Sequence, residues 1–112
     1  MKLPGHLAAV VPRDKVVRYL LSASHADGRH KSAFFTAFGF DARRWEELSA
    51  ALKRHAAHDV VRVEQSRFCT RYVIEGIIET PDGRNPAVRS VWFLEPGEEA
   101  PRFVTAYPRK GA

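Results

Sequence analysis

The stretch from Thr70 to Glu95, TRYVIEGIIETPDGRNPAVRSVWFLE, decides the fold. Two β-rich runs, 70–79 and 87–95, flank the tetrapeptide Pro81-Asp82-Gly83-Arg84. Proline presets the first bend of a turn, aspartate bonds back to its own backbone, and glycine accepts a left-handed conformation. The stretch therefore reads as two antiparallel strands joined by a turn. Gly76, inside the first of them, marks a candidate bulge. Toward the C-terminus, Pro96-Gly97-Glu98-Glu99 turns the chain again and 102–107 reads as a further strand. Toward the N-terminus, 60–64 reads as the first strand. Together these give a four-stranded β-meander over about residues 59–108.

Upstream of residue 58 the apolar period changes from strand-like to helical. Residues 13–22 follow Pro12 and place Val16, Val17, Leu20 and Leu21 on one stripe. The turn SASHADG (22–28) follows, with Asp27 as the cap of a second helix over about 28–38 that Gly39 ends. Asp41 caps a third helix whose inner stripe is Trp45, Leu48 and Leu52. The helical half spans about 13–57. The class is α+β: N-terminal helices packed on one face of a four-stranded antiparallel sheet, with residues 1–112 as a single domain. The expected core is Phe34, Phe35, Phe38, Trp45, Leu48, Leu52, Tyr72, Ile74 and Trp92.

Composition narrows the function classes. The 112 residues are 45% apolar, with seven Phe, two Trp and three Tyr, enough to fill a core and too much for wholesale disorder. No apolar run reaches the roughly 18 residues of a membrane span, so no membrane partner is expected. The start, MKLPGHLAAVVPRDK, is interrupted by Pro4, His6 and Pro12 and does not read as a secretory signal. A soluble, cytoplasmic, bacterial-type protein is expected. The single cysteine, Cys69, excludes a disulfide framework and a cysteine-clustered zinc site. The five histidines lack metal-ligand spacing apart from a weak pair, His55 and His58, and no phosphate-cradling glycine loop is present. No metal and no cofactor are therefore expected. The charge is asymmetric: residues 1–58 hold ten basic and five acidic side chains, residues 59–112 eight of each. Thirteen of the eighteen cations are arginine, suited to bidentate phosphate contacts. The same composition also makes an ordinary solvated surface.

Lys31 is the sharpest anomaly. It heads the row Phe34, Phe35, Phe38 at helical spacing, where a charge needs a reason. It is either a snorkelling side chain or a cation aimed into a cleft. His25, in the preceding turn, can reach the same rim and exchanges protons near neutral pH. On the sheet, strand alternation brings Arg71, Arg89, Thr105 and Tyr107 to one face under one choice of register. The set His25, Lys31, Arg71, Arg89, Thr105 and Tyr107 suits metal-independent cleavage of an RNA phosphodiester: a base, an acid, and cations for the phosphorane. The same cations suit plain phosphate binding.

The runs His25–Phe35, Gly39-Phe40, Arg71–Gly76, Thr80–Arg84, Val88–Trp92 and Pro101–Pro108 resemble an uncharacterised family of small bacterial proteins that also occurs as the tail of toxin-like and phage proteins. That family carries Pro after the histidine, where this chain has Ala26. The layout is similar, more loosely, to the barnase–EndoU–colicin–RelE ribonuclease toxin superfamily. The resemblance implies helices before a four-stranded sheet and an RNase-like toxin module. Its active groups would be polar residues on the sheet and a basic or His residue from the helices. Three functions stand open: a metal-independent RNase with His25 as acid or base, a non-catalytic module binding a small antitoxin-like protein, and simple RNA or phosphate binding.

Overall fold

The computed structural model describes residues 1–22 and 29–109, Arg29 by its backbone alone. Among these, helices precede a four-stranded antiparallel sheet of order β1-β2-β3-β4. The strands are β1 (Val60–Gln65), β2 (Thr70–Ile77), β3 (Ala87–Leu94) and β4 (Arg102–Pro108). The β2–β3 and β3–β4 hairpins follow the turn chemistry: Gly83 and Gly97 take positive φ, 79° and 84°.

The helices are α1 (Arg13–Lys15), α2 (Arg29–Ala37) and α3 (Trp45–His55). Helix α1 runs on as a wider, π-type turn over Val16–Leu20. Asp41 accepts a hydrogen bond from the Arg43 amide at 2.9 Å and starts the turn that leads into α3. Gly39 ends α2 at φ 101°, and a side chain there would meet the Pro81 ring at 3.1 Å. That approach seats the end of α2 on the β2–β3 turn. There Arg84 lies over the Phe38 ring at 4.3 Å and donates to the Ala37 carbonyl at 2.6 Å. The proposed Asp27 cap lies outside the described residues.

Cross-strand pairing sorts the sheet into rows. Tyr72–Trp92–Phe103 and Ile74–Ser90–Ala106 form buried rows on the helical side. Phe35, Leu48, Leu52, Val16 and Leu20 pack into the same cluster. Phe34 and Trp45 lie half-buried at its margin. Phe38 is likewise half-buried, beneath Arg84. The opposite, open face carries the rows Glu64–Arg71–Phe93–Arg102, Arg62–Val73–Val91–Thr105 and Glu75–Arg89–Tyr107.

The sequence expectation at Gly76 needs correction. Gly76 is not a bulge: it pairs regularly with Val88. The register slips instead between Val60 and Arg62, and between Val91 and Trp92. The second slip leaves Val104 unpaired, so Phe103 and Ala106 both belong to rows of the buried face and strict alternation fails in β4. Gly76 is glycine for a different reason, since a Cβ there would stand 2.6 Å from the His58 ring.

The N-terminal segment crosses the helical side of the sheet. Lys2 bridges to Asp59 beside β1, and Val10 pairs in parallel with Arg102 of β4. Leu3, Ala9 and Val11 are buried along the way.

Candidate functional site

Lys31 has its reason in Tyr19. Its ammonium group donates a hydrogen bond to the Tyr19 hydroxyl and sits 4.8 Å from the centre of that ring. The Tyr19 hydroxyl in turn bonds Thr105 Oγ1 at 3.0 Å. Thr105 lies on β4, an edge strand, so a side chain from the helical layer can reach it. One chain of hydrogen bonds thus links α2, the turn after α1, and the sheet edge. Burial works to raise the Tyr19 pKa, but the Lys31 hydrogen bond, the Thr105 hydrogen bond and the charges of Lys31 and Lys15 outweigh it and bring it below its ordinary value. Lysine and tyrosine here hold a polarised hydroxyl beside a cation.

The sheet's open face holds the second group. Arg89 pairs with Glu75 and stands opposite Tyr107, its cross-strand neighbour. The Glu75 bond is the main cause of a raised Arg89 pKa. Arg109 approaches the other Glu75 oxygen at 3.5 Å. Arg71 stands four residues from Glu75 along β2, opposite Phe93 rather than Arg89. At a strand's rise that separates Arg71 from the Arg89 row by roughly 13 Å. The Arg71 Nε is buried and has no hydrogen-bond partner among the described residues. The structure therefore joins Lys31 to Thr105 and Arg89 to Tyr107, and sets Arg71 apart from Arg89. His25 lies outside the described residues.

A cleft of about 760 Å³ opens beside the first group. Tyr19, Lys15 and Arg18 line one side, Phe93, Arg102 and Val104 the other. Glu95 and Glu98 stand in the same wall. Tyr19 and Arg102 are the residues that sequence reasoning missed. Tyr19 carries no local signal, because only the fold brings it against Lys31.

His55, the last residue of α3, is buried at 1% exposure. Its Nε2–H donates to the Gly76 carbonyl at 3.0 Å. Its Nδ1 stands 2.7 Å from Ser90 Oγ, which accepts from the Trp92 indole at 2.8 Å. One neutral tautomer satisfies every bond, with the Ser90 hydroxyl donating to Nδ1. The His58 ring lies 5.2 Å away. Among the described residues no three His, Cys, Asp or Glu side chains group closely enough to hold a metal ion.

The layers define an α+β protein with helices on one face of an antiparallel meander. The chain belongs to the family described as Domain of unknown function (DUF6883), whose model matches residues 2–110. No curated protein matches the sequence. Among solved structures, the chain is similar to one in the contact-dependent growth inhibition toxin–immunity protein complex from Klebsiella pneumoniae 342. The TM-score is 0.72 at 15% identity, over 97% of this chain and 100% of that one. At that identity the likeness shows a shared fold. No helix among the described residues is long and apolar enough to cross a membrane.

Proposed function

We propose that the protein is a toxin module that cleaves RNA without a metal ion. The observation that carries this reading is the Lys31–Tyr19–Thr105 chain, a cation and two hydroxyls joined through Tyr19, which lines a nucleotide-sized cleft. The likeness to a chain of a growth-inhibition toxin–immunity complex supports a place in a toxin–immunity pair.

In the reaction a base removes the 2′-hydroxyl proton, and that oxygen attacks phosphorus. The P–O5′ bond breaks, the leaving oxygen takes a proton, and the products are a 2′,3′-cyclic phosphate and a 5′-hydroxyl end. His25 acts as acid or base. Lys31 stabilises the charge that builds on the phosphorane, and Thr105 and Tyr19 orient the phosphate. Arg71, Arg89 and Tyr107 hold the flanking chain on the open face.

The test is degradation of total cellular RNA in excess EDTA. Wild type is expected to cleave, leaving cyclic phosphate ends. His25→Ala and Lys31→Met should lower the rate on the order of 10²–10⁴-fold, with unchanged circular dichroism. A wild type inert toward RNA, or variants as fast as it, would overturn the reading. A second reading, a non-catalytic partner of a small protein, is favoured by the two-protein nature of the neighbouring complex. It expects no cleavage and a stoichiometric complex with a neighbouring gene's product.

A further inference from the structure

One row of the open face runs Arg71, Phe93, Arg102 across three adjacent strands. Strand spacing puts the two arginines roughly 10 Å apart with the phenyl ring between them. Phe93 is 36% exposed, although it is a large apolar side chain at the middle of a sheet row. Arg71 keeps a buried Nε that nothing among the described residues satisfies, a costly state for a guanidinium. Phe93 and Arg102 also line the cleft that Tyr19 closes on its far side, so the row runs into the cleft. The acidic groups nearby are Glu64, at the outer end of the row and tied to Arg62 at 2.9 Å, and Asp14, Glu95 and Glu98 in the cleft wall, Asp14 paired with Arg18 at 3.8 Å.

An exposed aromatic between two guanidinium groups matches an unpaired nucleotide. The base stacks on the ring, and the phosphates on either side meet the arginines. The cleft carboxylates then face base edges, where they accept hydrogen bonds from amino groups. A double helix cannot offer a base face to Phe93, so the occupant is single-stranded. We infer that the Arg71–Phe93–Arg102 row is a base-stacking subsite that holds one unpaired nucleotide of single-stranded RNA next to the Lys31–Tyr19–Thr105 group. This subsite rests on the ribonuclease reading for its place beside a scissile bond, and its test is independent of cleavage.

The probe is a short fluorescent 2′-O-methyl oligoribonucleotide, whose blocked 2′-oxygen prevents cleavage by the route above. The control is an abasic oligomer with the same number of phosphates. By anisotropy, the base-bearing oligomer should bind about tenfold or more tighter than the abasic one. Phe93→Leu, which keeps an apolar side chain and removes the π-face, should erase that difference and leave abasic binding unchanged. Arg102→Gln should weaken both and flatten the salt dependence. Equal binding of the two oligomers, or full discrimination by Phe93→Leu, would overturn the subsite and leave the surface to a protein partner. Discrimination by a protein that cleaves no RNA would retain the subsite and remove the ribonuclease reading. Cleavage without discrimination would do the reverse.

Discussion

At the scale of single residues, Lys31 and His55 are charged or chargeable groups placed where apolar ones are the rule, and they are resolved in opposite ways. Lys31 keeps its ammonium group against a phenol and a ring face, half-exposed. His55 is held neutral. Burial is the main cause, aided by the nearby His58 and opposed by the Gly76 bond, and its pKa falls from 6.5 to about 4. Unfolded, the ring protonates near 6.5; folded, it resists down to about 4. The stabilisation is therefore complete above pH 6.5 and is lost as pH falls toward 4, on the order of 3 kcal/mol in all. His55→Gln, which keeps a neutral donor and acceptor, should flatten the stability–pH curve in that window. Urea midpoints measured between pH 4 and 7 check this, and parallel curves for the two proteins would refute it. The two residues were not equally legible. A lysine among phenylalanines is anomalous in one helix turn, so it was found. The role of His55 depends on Ser90 and Gly76, 35 and 21 residues away, and no local pattern encodes that distance.

At the scale of elements, what could be read was whatever local periodicity writes. Turn residues Pro81, Asp82 and Gly83, the alternation of β2 and β3, and the apolar stripe of α3 each follow from neighbours a few positions away. The slip at Val104 could not be read, because a bulge is a property of two paired strands and β4 taken alone carries apolar groups on both faces. Gly76 was noticed for the wrong reason. Its missing side chain makes room for the His58 ring, whose Nε2 bonds the Ile77 carbonyl at 3.0 Å. Gly76→Ala should force that ring and the end of α3 away from β2, at a cost of about 1–3 kcal/mol. Pairing the change with His58→Ala should recover most of the loss, because the obstructing atoms are gone. Chemical denaturation of the single and double variants reads both. An additive pair would mean that the glycine serves some other contact.

At the scale of the whole molecule, the first eleven residues tie the two edges of the sheet together, and nothing in their sequence announces it. Pro4 and His6 break every period, so the apolar residues Leu3, Ala9 and Val11 read as scattered. Backbone bonds secure both ends: Val60 N to Met1 O at 2.8 Å, and Val10 N to Pro101 O with Phe103 N to Val10 O, each at 2.9 Å. Two forces compete as the explanation of what holds this strap. One is the ion pair of Lys2 with Asp59 at 3.1 Å, whose side chains are 57% and 74% exposed. The other is Leu3, 1% exposed in the main cluster. An exposed pair contributes at most about 1 kcal/mol. Truncating a buried leucine costs roughly 2–5 kcal/mol, because the cavity closes only in part. Burial should therefore dominate. Lys2→Ala is expected to leave the melting temperature within a few degrees of wild type, about what 1 kcal/mol shifts in a domain of this size. Leu3→Ala should lower it by roughly 10 °C or more. Calorimetry on the two variants decides the matter: equal shifts would assign the strap to its charges and show that Leu3 adds little to the core.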